Sequence, residues 1–129
     1  MLDPNVVISG LISSEGAPAQ ILALWGQGEF EVLVSPALLS ELERALAYPK
    51  LRKVISSEDA AAAVRWLGSA ARLVDDPPGP GPVASEDPGD DYLIALAAAH
   101  RAALVSGDRH LLALRGRIPV YSPREFLDR

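Results

Sequence analysis

Short apolar runs alternate with helix-start signals along the whole chain, and that alternation limits the fold more than any other feature. The residues leading to Asp3, then Glu31–Val34, Arg72–Val74, Ala103–Ser106 and Ile118–Tyr121, read as short strands bounded by turn residues. Glu31–Val34 alternates poorly but is short and apolar, like a buried parallel strand. The first run stops at Asp3, because Pro4 has no N–H to give to a ladder; a turn and a helix start follow. Between the runs stand helix signals. Gly16-Ala17-Pro18 opens a helix carrying Ile21, Leu22, Leu24 and Trp25 that ends near Gly26–Gly28. Ser35-Pro36 opens one whose apolar face is Leu38, Leu39, Leu42, Ala45 and Leu46, ending before Pro49. Ser56-Ser57-Glu58-Asp59 caps a helix to about Ala71, and Asp90-Asp91 opens an Ala-rich one to about His100. A short helix follows over 109–115, and Ser122-Pro123 starts the last.

The resulting order, β-α-β-α-α-β-α-β-α-β-α, predicts an α/β three-layer sandwich. A central, roughly five-stranded parallel sheet would carry right-handed crossovers and helices on both faces. The length of 129 residues fits a single domain over 1–129. The one long irregular stretch, Asp75 to Gly89, contains "DDPPGPGP"; loops of that length in compact domains are often functional or mobile.

Four acidic stations fall where strands end or helices begin: Asp3, Glu41, the pair Asp90–Asp91, and Asp108. In an open α/β sheet such ends gather along one edge, where ligands bind. Carboxylates gathered there repel each other unless a cation lies among them, and hard oxygen donors select Mg²⁺ or Mn²⁺, the metals of phosphoryl chemistry. Asn5 and Ser106 stand close enough in sequence to support Asp3 and Asp108. Each station also has an ordinary structural reading. Asp3 with Asn5 can form an Asx turn, Glu41 can be a solvated residue near a helix N-terminus, and Asp90, Asp91 and Asp108 can be helix caps. Four acids crowd residues 86–91 (Glu86, Asp87, Asp90, Asp91), and helix phase does not choose between Asp90 and Asp91.

The net charge of −5 argues at first against a nucleic-acid ligand. Asp3, Glu41, Asp90, Asp91 and Asp108 account for all of it, leaving 12 acidic residues against 12 basic ones, and a bound cation would reverse much of the local field. Arg44, Lys50, Arg52 and Lys53 cluster at and beyond the end of the second helix, where they can grip RNA phosphates or simply match the helix dipole. Trp25 and Trp66 sit at helical spacing with leucines, as core residues do. Cysteine is absent, which removes disulfides and thiolate metal sites. No apolar run approaches the ~20 residues of a membrane span, and no signal peptide is evident, so the expectation is a cytoplasmic protein with no membrane partner.

Five segments in order resemble the PIN-domain ribonucleases, in particular VapC-like toxins of toxin–antitoxin systems. "LDPNVVISGLIS" looks like that group's "LDTNVLVSALL", and "VSPALLSELERALAYPKLRK" is similar to its glutamate-bearing helix and Pro-Lys-Leu turn. "DPGDDYLIALAAA" resembles "DPDDDxFLALALA", "LVSGDRHLLAL" resembles "LVSGDRDLLxL", and "IPVYSPREFL" resembles "IxIxTPxEFL". Pro4, Gly89 and His110 depart from that pattern, standing where it has Thr and two acids. The resemblance implies a Mg²⁺- or Mn²⁺-dependent endoribonuclease. Its acids would be Asp3, Glu41, Asp90 and Asp108, with Asp91 as an alternate or fifth and Asn5 and Ser106 as supports. It also implies a homodimer inhibited by a cognate antitoxin. Two other readings compete: a non-catalytic PIN-like module binding RNA or protein, and a phosphatase with Asp3 as nucleophile. The latter would want an acid two residues after Asp3, where Asn5 stands.

Overall fold

The computed structural model describes residues 1–85 and 87–129; Glu86, one of the acids of the 86–91 run, lies outside the described residues. Helix starts fall where short polar side chains meet proline. Asp3 caps α1 (Pro4–Ile12), accepting the Asn5 backbone N–H at 3.0 Å, and Pro4 at the first helical position has no N–H to leave unpaired. Gly16, at φ +95°, leads into α2 (Ala17–Gly26) through a conformation that a side chain would strain. After β1 (Leu33–Val34), the Ser35 hydroxyl accepts the Leu38 N–H at 3.2 Å and opens α3 (Pro36–Leu46). A single turn, α4 (Pro49–Arg52), precedes α5 (Ser57–Ala70), which Ser56 caps through the Asp59 N–H. Next come β2 (Arg72–Leu73), a 3-10 turn (Pro88–Asp90), α6 (Asp91–Ala99), β3 (Leu104–Val105), α7 (Arg109–Leu112) and β4 (Val120–Tyr121). A reciprocal capping box between Ser122 and Glu125 starts α8 (Pro123–Leu127).

Two elements differ from the sequence expectation. The segment before β1 holds two helices rather than one, because the Asp3 cap and Pro4 nucleate a helix at once and bury Val6, Val7 and Ile8 on it. The two helices meet at a bend of 94°, with Gly10 at the crossing. A Cβ there would stand 2.5 Å from Leu22 Cδ1 and 2.9 Å from the Pro18 carbonyl oxygen, so only a bare backbone fits. The turn α4 was also not anticipated. It forms because Pro49 follows an extended Tyr48 whose carbonyl accepts the Leu51 and Arg52 N–H groups.

The strands are parallel, in two pairs: β1 beside β2 (Leu33 with Arg72, Val34 with Leu73) and β3 beside β4 (Leu104 with Val120, Val105 with Tyr121). On the other side of β3 the N-terminal residues add one parallel bridge, Leu2 to Val105. The Asp3 N–H donates to the Val105 carbonyl and the Val105 N–H to the Met1 carbonyl, both at 2.9 Å. The architecture is α/β as expected, but a continuous five-stranded sheet is not what these hydrogen bonds draw among the described residues. Each strand is two residues long, Pro4 ends the first run, and a cavity of about 330 Å³ lined by Leu2, Val32, Leu33 and Val105 lies between the pairs.

The core sets the position of the chemistry. Leu38, Leu42 and Leu46 form one fully buried stripe along α3. α6 is buried nearly all round through Leu93, Ile94, Ala95, Leu96 and Ala97, and it packs on β3. Each of those leucines contributes roughly 1.5–3 kcal/mol by leaving water. Trp25 is buried as expected, whereas Trp66 is exposed, its ring tilted 48° against Trp25 with centroids 4.6 Å apart. The Pro/Gly loop is docked over α6 at Gly81, where a Cβ would lie 2.9 Å from the Ala95 backbone. At its start, Asp76 accepts the Ala37 N–H at the head of α3. No single described helix is long and apolar enough to cross a membrane.

Candidate active site

Three of the acidic stations meet where the first segment and β3 end and α6 begins. Asp3 is buried at the end of the N-terminal bridge, and Asp108 caps α7 two residues beyond the buried Ser106. Ser106 joins them. Its hydroxyl donates to Asp3 Oδ2 at 2.7 Å and accepts the Asp108 backbone N–H at 3.0 Å. Asp108 Oδ1 in turn accepts the His110 N–H at 2.8 Å. Asn5 supports Asp3 through its backbone N–H rather than its side-chain amide. Thus the capping reading and the clustering of Asp3 and Asp108 hold together: each carboxylate offers one oxygen to a helix start and keeps the other for its neighbours.

The acids around residue 90 divide their work. Asp87 accepts the Gly89 N–H at 2.9 Å and fixes the 3-10 turn, while Asp91 accepts the Ser85 N–H at 2.8 Å and ties down the loop. Asp90 makes no cap hydrogen bond, and its buried Oδ2 receives no hydrogen bond among the described residues. Burial first, then contact with the Asp108 carboxyl and the charges of Asp108, Asp87 and Asp3, push Asp90 up to about 7. Two ionised carboxylates have no proton to share, so Asp90 and Asp108 in contact need a proton or a cation between them. Asp3 is raised as well. Burial is the main cause, the Ser106 and Asn5 hydrogen bonds oppose it, and the charges of Asp108 and Glu41 add to it.

Glu41 reaches the same place from α3. It precedes the buried Leu42, and with Asp3, Asn5, Asp90 and Tyr92 it lines a cavity of about 70 Å³. Its carboxylate also takes an ion pair from Arg44, one turn along α3. Asp91 does not line this cavity, and neither do Lys50, Arg52 or Lys53. Those three cations stand on and just after α4, and Arg52 lines a separate groove between α3 and α5 with Glu43 and Arg65. A more open groove of about 320 Å³, lined by Asn5, Val6, Ser9, Pro18, Gly107 and Asp108, runs beside the acidic cavity. Sequence reasoning passed over Tyr92. Its hydroxyl is buried without a hydrogen-bond partner among the described residues, and burial, followed by the charges of Glu41, Asp3 and Asp90, raises its phenol above the ordinary value. Its place directly after the paired aspartates was the available signal.

The donor set suits a hard divalent cation. The carboxylates converge, raise one another's proton affinity, and leave Asp90 Oδ2 with no hydrogen bond among the described residues. They do not form a closed cage: among the described residues no three acidic, histidine or cysteine side chains stand at ligating distance. A hard divalent cation held there would take one or two carboxylates directly and keep waters on its other positions. Asp90 and Asp108, or Asp90 and Asp3, would be the direct ligands.

The chain is similar to an uncharacterized protein of Methanocaldococcus jannaschii. They are 28% identical over 138 aligned positions, which take in 99% of this chain and 88% of the relative. A family model described as a PIN domain matches residues 1–110, which span every acid of the cluster. By that match, together with the α/β architecture and its acidic edge, the chain belongs to the PIN-domain family, whose membership supports nuclease activity in general.

Proposed function

We propose that this protein is a metal-dependent endoribonuclease that hydrolyses RNA phosphodiester bonds with water, leaving a 3′-hydroxyl. The observation that carries the reading is the meeting of Asp3, Asp90 and Asp108, with Asp90 pushed to about 7 by burial and by Asp108. A bound Mg²⁺ or Mn²⁺ would offset that repulsion, lower the pKa of a bound water and neutralise charge on the scissile phosphate. The residues supply the frame. Ser106 links the Asp3 carboxylate to the backbone at the start of α7, and the His110 N–H holds the Asp108 carboxylate there. Glu41 closes the cavity from α3, and its Arg44 partner keeps a cation near the phosphate path. Asp91 anchors the loop beside Asp90, a supporting duty in place of a ligand's. The groove past Asn5 and Gly107 gives a strand access to Asp108. Lys50, Arg52 and Lys53 would contact phosphates farther along the substrate.

The role as toxin of a toxin–antitoxin pair, acting as a cytoplasmic homodimer held in check by an antitoxin, rests on the sequence likeness to VapC-like proteins. A second reading, a non-catalytic RNA-binding PIN module, is favoured by the absence of a ready three-acid group among the described residues. Incubation with a mixed RNA pool and Mn²⁺, followed by mapping of the new ends, separates the two. Metal-dependent cleavage that Asp90→Asn and Asp108→Asn abolish, in variants that still fold, supports the nuclease. Undiminished cleavage by both variants overturns the metal-site assignment, and RNA binding without cleavage by the wild type favours the binding module.

A further inference from the structure

Tyr92 brings a different chemistry to the acidic cavity. Its ring is partly buried against the core, and the next two residues of α6, Leu93 and Ile94, are buried. Its hydroxyl is buried in the same cavity as Asp3, Glu41 and Asp90 and has no hydrogen-bond partner among the described residues. Carboxylates only accept hydrogen bonds when ionised, whereas a phenol both donates and accepts. The cavity holds about 70 Å³, room for a few waters and too small for a nucleotide. The group that meets the Tyr92 hydroxyl there is therefore a small, polar one.

From this geometry we infer that Tyr92 is a positioning residue, whose hydroxyl hydrogen-bonds a water in the shell of a divalent cation held by Asp90 and its neighbours. The inference rests on the nuclease reading for the cation and adds a residue that the acidic pattern does not contain. Such outer contacts fix the orientation of a bound water and change metal-site function roughly 10–100-fold when removed.

The test is Tyr92→Phe, which removes one oxygen and keeps the ring, compared with wild type and Asp90→Asn. Two quantities are measured: water-proton relaxation by protein-bound Mn²⁺, and kcat and KM for Mn²⁺-dependent RNA cleavage. The expected result is an altered relaxation rate per bound Mn²⁺, with kcat lower by roughly tenfold and KM for RNA within about twofold of wild type. Relaxation and kcat equal to wild type overturn the inference, as does failure of the wild type to bind Mn²⁺. A wild type that binds Mn²⁺ and cleaves no RNA overturns the nuclease reading instead, and the relaxation difference still decides for or against Tyr92. Tyr92→Leu serves as a control for packing: a relaxation rate matching Tyr92→Phe supports the inference, and a wild-type rate overturns it.

Discussion

Ser106 donates a buried 2.7 Å hydrogen bond to Asp3, a residue 103 positions away in sequence. Ser106→Ala leaves that carboxylate buried without its side-chain donor and frees the Asp108 N–H. We expect a loss of about 1–3 kcal/mol, seen as a lower urea midpoint with an unchanged slope, and a parallel loss of RNA cleavage.

The pH dependence of stability follows from Asp90, whose carboxyl rises from an ordinary 3.8 to about 7 in the fold. Below 3.8 folded and unfolded chains both carry the proton. Between 3.8 and about 7 the folded protein holds a proton that the unfolded chain has lost, so stability falls as pH rises through that window. Urea titrations of metal-free protein in chelator, from about pH 4 to about pH 8, should show this decline. Asp90→Asn should flatten it, and a slope that persists in the variant would assign the effect to other groups.

Relief of repulsion gives a further expectation. At neutral pH without metal, Asp90→Asn should be at least as stable as the wild type, because it removes one of several mutually repelling acids. Added Mn²⁺ should raise the melting temperature of the wild type and leave that of the variant nearly unchanged. For cells, the matching expectation is that Asp3→Asn relieves any growth arrest caused by expression; equal toxicity would count against a nuclease mechanism.

Gly81 is where the Pro/Gly loop meets α6, and there is no room for a Cβ against the Ala95 backbone. Gly81→Ala should cost about 1–3 kcal/mol and lift the loop, speeding limited proteolysis within 75–89. Because Asp91 is tied to this loop through Ser85, RNA cleavage should fall as well.

Arg44 and Glu41 form an exposed pair on α3. Arg44→Ala should change stability by no more than ~0.5 kcal/mol, since such pairs are screened by water. A weaker dependence of RNA binding on salt in the variant would mark Arg44 as a phosphate contact.

Local chemistry made much of this protein legible from its residues. Caps at Ser35, Ser56 and Ser122 act over three residues, so the helix starts could be read directly. The apolar stripe of α3 was visible for the same reason, and so was the placement of Asp3, Asp90 and Asp108 at element ends, whereas Glu41 stands in the middle of α3. Cooperation between distant segments was not legible. The two strand pairs depend on how far a two-residue ladder can extend, which no local pattern encodes. Asp87, Asp90 and Asp91 look alike in sequence. Their roles separate only when the Gly89 and Ser85 N–H groups engage two of them and leave Asp90 facing Asp108. Tyr92 reads as one more residue of an apolar helix until the fold turns its hydroxyl among Asp3, Glu41 and Asp90. The sequence by itself determined which chemical groups are present and where helices begin, because those depend on neighbours along the chain. The tertiary structure decided which carboxylates are already engaged and which remain available, because that depends on partners brought together across the whole chain.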